Sequence, residues 1–428
     1  MTRKFPNRQA IEAHQLGQLR QLLGSILPRN AFYQGKCGQL GPAVASLEDF
    51  SRRFPFTTKE ELTGDQRGCP PYGGNLTYPL ERYTRFHQTS GTLGAPLRWL
   101  DTPESWSWML ETWKEVYRAA GVGAGDRVYF AFTFGPFIGF WLAFEAAEQL
   151  QCLCLPGGGM SSAGRLRAVF ENKVTVLCCT PSYAIRLAEV AAELKINLQG
   201  SAVRRIIVAG EAGGSIPATR QKLEQLWPGA RVFDHHGMTE TGPVSHECPA
   251  RPGLLHVVES AFLAEVAGPG GAAAEEGGPG ELVLTTLGRT GSPVLRYRTG
   301  DLVRPVHFDL EPCACGRHDL GLQGGILGRT DEMVIVRGVN IYPTAVEEIV
   351  RGFAEVAEYE VLVSKSASLA ELVLRIEPHS GCNDPAALAR RVQSALQAAF
   401  NLRVPVALAS AGSLPRFEMK AKRWKIGG

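Results

Sequence analysis

The sequence lacks an apolar run fit to cross a bilayer: its longest uncharged stretch, Val128 to Phe144, is short for a span and is broken by Gly135, Pro136 and Gly139. It also lacks a dominant charge. With 45 Lys and Arg against 42 Asp and Glu, the net +3 offers no global field for nucleic acid or an anionic lipid surface, so neither is an expected partner and any anion binding must be local. Ten cysteines in 428 residues are too sparse for a disulfide scaffold, and Cys152, Cys154, Cys178 and Cys179 sit within apolar, strand-like runs as small core residues. The basic start, MTRKFPNRQAIEAHQ, is not followed by the apolar segment of a secretory signal. Together these features make a reducing cytoplasm the expected compartment. No GxxxxGK[ST] spacing occurs, which argues against an ordinary P-loop nucleotidase.

What is present is enough apolar sequence, 44% of the chain, to build two or three cores. From about residue 127, the runs VYFAFTF, CLCLPG, VTVLCCT and RRIIVAG alternate with amphipathic stretches, the signature of a mainly parallel sheet covered by helices. Pro103 to Ala120 reads as a helix whose Trp106, Trp108 and Trp113 are explained by packing. Gly268 to Gly280 can bury no face and is expected to be a loop. After Gly328 the pattern restarts as a small α+β domain of about a hundred residues, large enough for its own core. The expected division is 1–329 and 330–428.

Five segments carry candidate chemistry. HQTSGTLGAP, His87 to Pro96, gathers the hydroxyls of Thr89, Ser90 and Thr92 with the unobstructed backbone of Gly91 and Gly94, which suits phosphate oxygens. VAGEAGG, Val208 to Gly214, allows a flat ring to approach the carboxyl end of a strand. In DHHGMTETG, Asp234 to Gly242, Thr239 offers a hydroxyl to phosphate and Glu240 a carboxylate to Mg²⁺; a capping or surface role is the plain alternative for Glu240. In YRTGDL, Asp301 after a glycine turn can chelate vicinal hydroxyls, and Arg329 in GRTDEMVIVRGVNIYP can assist. PRFEMKAKRW places Lys420 in a polar terminal segment that composition alone would read as a solvated tail.

The order and spacing of these segments resemble the adenylate-forming superfamily of acyl-coenzyme A synthetases from about Tyr83 onward. FGPFIG, LPGGGMSS and VRGVNIYP look most like the phenylacetate-coenzyme A ligase group. The resemblance implies an α/β fold, with a large N-terminal domain and a small C-terminal α+β domain that rotates about a hinge. It also implies that Thr89, Ser90, Gly91, Thr92 and Gly94 grip the ATP phosphates, while Gly210, Glu211 and Ala212 line the adenine. Asp234, His235, His236, Gly237 and Met238 would complete the nucleotide wall, with either histidine beside the adenine. Thr239 would touch the α-phosphate, Glu240 would hold Mg²⁺, and Asp301 would bind the ribose with Arg329. Asp331 would mark the hinge, Gly338 would reach the thioester-forming site, and Lys420 would bridge the acyl carboxylate and the α-phosphate.

Three departures stand out. The phosphate loop ends in Ala95 and Pro96 where a lysine is frequent, leaving Arg98 as a possible replacement charge. Met419 precedes Lys420 where a glycine is common, and Lys422 competes for the same role. The two histidines replace a more usual aromatic pair, which suggests nucleotide binding sensitive to pH near the histidine pKa.

A second site rests on EPCACGRHD. Cys313 and Cys315 can share a tetrahedral Zn²⁺, with Cys248 and His256 as partners and His246 and His318 in reserve. Some members of the group hold such a zinc, and a closed Cys₃His set would be structural. An unligated, reduced pair is the alternative.

The expected reaction is ATP-dependent acid–thiol ligation: a small carboxylic acid becomes an acyl-adenylate and coenzyme A displaces AMP. Family analogy and Phe134, Phe137, Phe140 and Trp141 point to an aryl or arylacetic acid. A carrier-protein phosphopantetheine or an amine as acceptor, and a catalytically silent nucleotide-binding homologue, remain open at this level. So does the oligomeric state, a homodimer included.

Overall fold

The computed structural model describes residues 5–89, 96–275, 277–337, 339–365, 370–418 and 420–427. The chain divides into two compact units, one of residues 1–158 with 233–325 and one of residues 159–232 with 326–428.

The first unit opens with helices that periodicity around the motifs does not announce: Arg8–Ile26, Ala31–Cys37, Leu47–Arg53 and Lys59–Gly68. Each is started by a side-chain cap, Asn7, Asn30, Ser46 and Thr58, that accepts a first-turn N–H. Thr58 and Glu61 form a full capping box. Leu19, Leu22, Leu23 and Ile26 pack with Tyr33, Phe50 and Phe54 against Leu263, Leu287 and Leu295, so these helices share a core with the later strands. Helix Pro103–Ala119 has Thr102 as its cap and proline in its first turn, and it buries Trp106 and Trp113 as packing predicts. Strands Arg127–Phe130 and Leu153–Pro156 pair in parallel across helix Ile138–Gln149, a βαβ unit.

The runs from residue 127 that the sequence suggested as a mainly parallel sheet do pair in parallel, and further along the first unit the pairing turns antiparallel. Arg231–Met238 pairs with Gly242–Cys248, and that strand with Arg251–Val257, as successive hairpins. A second antiparallel sheet is formed by Phe262–Ala267, Gly280–Thr286 and Tyr297–Val303. DHHGMTETG resembles a loop in composition, but its first half stays extended. Gly237 lies against the partner strand so closely that a Cβ there would sit 2.8 Å from the Gly242 carbonyl oxygen. Only Thr239 to Thr241 turn.

The second unit holds the parallel strands Val176–Cys179 and Arg205–Val208, with helix Pro181–Glu193 as crossover. Its C-terminal part pairs Val356–Lys365 with Ala370–Pro378 antiparallel, and adds Trp424–Gly427 and Val406–Leu408 in parallel at the two edges. Val346 and Val350 of helix Pro343–Arg351, and Leu388, Val392 and Leu396 of helix Pro385–Phe400, cover this sheet from a common core. Asp384 caps the latter helix. The first of the two also packs on helix Pro217–Leu226, where Glu348 accepts the Ala218 N–H at 3.0 Å.

Gly288 in the first unit leaves no room for a side chain: a Cβ would lie 2.2 Å from Trp108 Cδ1. Gly288→Ala is expected to lower unfolding stability by about 1–3 kcal/mol, the usual cost of overpacking, measured by urea denaturation.

Candidate active site and metal cluster

The hairpin turn at Thr239–Thr241 projects the chemistry-bearing residues of the first unit, and buried charge holds it in place. Arg289 and Asp101, both wholly inaccessible, form a bidentate pair with two 2.7 Å bonds. The third guanidinium nitrogen donates to the Thr239 carbonyl at 2.7 Å. The Arg289 fork thus reads the backbone next to Glu240. The Glu240 carboxylate is buried, accepts from the Tyr297 hydroxyl at 3.4 Å, and has the Lys59 ammonium 3.6 Å away. Lys59 and Tyr297 escape sequence reasoning: TTKEEL signals a capped helix and YRTGDL a strand, and neither pattern reveals a neighbour of Glu240.

Asp301 follows Gly300, whose φ of +76° turns the strand, and its carboxylate meets His236 Nε2 at 2.9 Å. Of the two histidines left open by the sequence, they take opposite faces of one strand. His236 faces Asp301, whereas His235 turns into the core against Trp113, ring centroids 4.5 Å apart. Burial pushes the His235 pKa down to about 3, so this ring cannot supply a pH response in nucleotide binding near the ordinary histidine range.

Thr89 closes the base of its loop, its hydroxyl accepting the Leu97 N–H at 3.0 Å. Ser90, Gly91, Thr92, Gly94 and Ala95 lie outside the described residues. Arg98 donates to the Pro71 carbonyl at 2.9 Å, so its charge is engaged at the surface. Asp234 and Met238 are parts of the same strand as the histidines, and the Asp234 N–H donates to Glu247 at 2.7 Å.

The second unit carries the remaining candidates. Gly210 and Ala212 are exposed in the loop that leaves strand Arg205–Val208 at its carboxyl end, where open α/β sheets bind ligands. A Cβ on Gly210 would lie 3.3 Å from Lys420 Cε, and the φ of Gly210 is +91°. Arg329 is bound by Asp331 through bonds of 2.9 and 3.0 Å. Gly338 and Met419 lie outside the described residues.

Away from the hairpin turn, one ligand atom each from Cys248, His256, Cys313 and Cys315 falls within 4.8 Å of every other. Zinc–sulfur bonds of about 2.3 Å require tetrahedral sulfur–sulfur edges of about 3.8 Å. The Cys248 and Cys313 sulfurs are 3.7 Å apart, and Cys315 Sγ is 3.4 Å from His256 Nε2. His256 Nδ1 meets the Asp319 carbonyl at 3.1 Å, which leaves Nε2 as the free ligand face. A hydrogen bond from Cys248, then the His256 ring, hold the Cys315 thiol well below the usual range, while the same contact pushes the Cys248 thiol up, so the two share one proton unevenly. The donor set fits a closed zinc site. Neither His246 nor His318 belongs to the cluster; His318 Nδ1 is engaged by the Phe308 carbonyl at 2.6 Å.

The fold and these residues define an adenylate-forming, AMP-binding enzyme. Residues 87–286 match the AMP-binding enzyme family and residues 338–425 the AMP-binding enzyme C-terminal domain. A phenylacetate-coenzyme A ligase of Thermus thermophilus is 32% identical over 86% of this chain and 82% of its own length, and one of Pseudomonas putida is 30% identical over 96% and 93%. The structure of a 2-hydroxyisobutyryl-CoA ligase in the postadenylation state, in complex with 2-HIB-AMP, superimposes with a TM-score of 0.93 at 27% identity, covering 99% of this chain and 91% of that one. The chain belongs to the phenylacetate-coenzyme A ligase family of AMP-forming acid–thiol ligases. No helix among the described residues is long and apolar enough to cross a membrane.

Buried histidines also set a stability profile. His87, stacked on Trp106 at 5.2 Å, is pushed down to about 4 by burial, as His235 is to about 3. The unfolded chain takes up these protons near pH 6.5 and the folded chain does not, so their contribution is present above that pH and is lost as pH falls. Each ring should cost about 1 kcal/mol per pH unit below about pH 6. Tm is expected to fall between pH 7 and 5, and His87→Phe to flatten part of that slope.

Proposed function

We propose that this chain activates an aromatic carboxylic acid with ATP and passes the acyl group to coenzyme A. A carboxylate oxygen bonds to the α-phosphorus as the bond to the pyrophosphate oxygen breaks. The thiol, giving up its proton, then attacks the acyl carbon and AMP leaves. The observation that carries this reading is the grouping of Asp301 with His236 on one side of the strand whose end presents Thr239 and Glu240. Asp301 accepts from the two ribose hydroxyls, and the His236 imidazole orients its carboxylate.

Glu240 would hold Mg²⁺, and the ion when bound would supply positive charge against the departing pyrophosphate. Lys59, at the edge of the same carboxylate, supplies positive charge in a chain whose phosphate loop has none at Ala95. Two anions must meet for adenylation, and a mobile ammonium between them offsets the repulsion; that role falls to Lys420. The C-terminal segment then turns about Asp331, withdrawing Lys420 and bringing Gly338 to the thiol.

Partly exposed rings support an aryl substrate. Phe134, Phe137 and Phe140 are half-buried and Trp141 is exposed; Phe140 stacks on the buried Phe132 at 4.1 Å and Phe134 lies 4.9 Å from Trp141, giving an apolar wall on helix Ile138–Gln149 and the loop before it. Benzoic, phenylacetic, hydroxybenzoic, 2-hydroxyisobutyric and fatty acids, compared by AMP release, test the assignment, with aryl acids expected to react fastest. Product analysis with coenzyme A and with a phosphopantetheinylated carrier protein separates the acceptors. Lys420→Ala is expected to reduce acid-dependent pyrophosphate exchange by about a hundredfold or more while sparing thioester formation from supplied acyl-adenylate. Equal exchange rates in variant and wild type would remove Lys420 from the mechanism.

Cys248, His256, Cys313 and Cys315 would hold Zn²⁺, which would cross-link the loop before residue 320 to the hairpin strands. Elemental analysis should return one zinc per chain, and chelation should lower Tm. Protein purified without zinc and equally stable would leave the cysteines as an unligated cluster.

A further inference from the structure

The Glu211 carboxylate points at the tail, and it is spent on backbone. Its Oε1 accepts the Ser182 N–H at 2.8 Å, and its Oε2 accepts the Ala421 N–H at 2.7 Å. Ser182 lies in the first turn of helix Pro181–Glu193, where N–H groups lack helical partners and the helix dipole favours an anion. One carboxylate therefore joins a helix start in the nucleotide-binding segment to the residue directly after Lys420.

Two flanking ties strengthen the same connection. Arg423, buried and doubly bound by Glu358 at 2.8 and 3.1 Å, donates to the Ser182 hydroxyl at 3.1 Å. On the other side of Lys420, the Ser162 hydroxyl donates to Glu418 at 3.1 Å. A lysine has a long, rotamer-rich side chain and a point charge without directional preference, so its placement depends on where its backbone is held. Here the segment is held through the backbone N–H of residue 421 and the side chains of Glu418 and Arg423, and Lys420 runs past Gly210 with 3.3 Å between its Cε and the Cβ that glycine omits.

We infer that Glu211 is a positioning residue for adenylation: its carboxylate clasps the segment bearing Lys420, and the clasp must open before the thiol step. This rests on the ligase reading above and deepens it. The role differs from adenine lining, which the backbone of Gly210 to Ala212 can serve without the Glu211 side chain. It also gives the loop a reason to carry an acid. Two backbone donors converge there, and an amide in its place would present an NH₂ group to one of them.

Glu211→Gln tests the clasp through two readouts. Deuterium uptake by a peptide spanning 418–423 is expected to rise, because the Ala421 amide loses its charged acceptor. The ratio of acid-dependent pyrophosphate exchange to thioester formation from supplied acyl-adenylate is expected to fall about tenfold. Glu211→Asp keeps the charge but shortens the reach by one methylene, and it should give the same split if the amide variant folds poorly. Unchanged uptake in both variants, or an equal fall in the two half-reactions, overturns the inference, since a merely structural residue would slow both. The uptake measurement needs no turnover, so a wild-type protein without pyrophosphate exchange counts against the ligase reading, and the clasp is judged separately.

Discussion

A guanidinium with no access to water governs the first unit. Arg289 can remain charged there only because Asp101 faces it with both oxygens, and a buried charge without a partner would cost several kcal/mol. Having neutralised the charge, the pair still has a donor to place, and it is placed on the Thr239 carbonyl. The turn is thereby tied to a strand nearly 140 residues earlier in the sequence, on the order of the separation between residues 101 and 239. The cost of ordering such distant groups is met by the surrounding core, where Trp99, Val294 and Tyr297 are buried together. The geometry of the Thr239–Glu240 turn rests on this long-range neutralisation, which is how rigid elements place turns more accurately than loops can place themselves.

The same logic recurs in the second unit with opposite signs. There Glu347 and Glu358 are buried, and Arg351 and Arg423 hold the Glu358 carboxyl down to about 2 against the effect of burial. Glu347 also reaches the Thr219 hydroxyl at 3.4 Å, and Lys222 donates to the Val356 carbonyl at 2.9 Å. Polar groups of this kind join the residues from 326 onward to residues 159–232. Polar joints differ from apolar ones in being directional and in exchanging readily for water, so they hold one geometry without making separation prohibitive.

Much of the candidate site was legible because its chemistry is written locally. A glycine before an acid at Gly300–Asp301, hydroxyl and carboxylate side by side at Thr239–Glu240, and the Cys313–Ala314–Cys315 spacing are short-range patterns, and each carries its own constraint on backbone or charge. Strand and helix types in the βα region were legible for the same reason, since period two and period three to four are properties of neighbouring residues. Other features were hidden because they arise from pairing. Whether DHHGMTETG was a loop or a hairpin depended on the strand Gly242–Cys248 lying beside it, and the choice between His235 and His236 depended on which face that pairing buried.

The sequence by itself determined the family, the order of the nucleotide-handling segments, and a Cys and His set with the donor chemistry for zinc. Tertiary structure alone decided that Lys59 and Tyr297 approach Glu240, that Cys248 and His256 rather than His246 or His318 meet the CxC pair, and that Glu211 faces the tail rather than open solvent. The physical reason is one of range. Propensity, turn chemistry and metal-ligand spacing act between residues a few positions apart, whereas a hydrogen bond or a shared metal shell acts over about 3 Å of space and takes no account of how many residues lie between its partners.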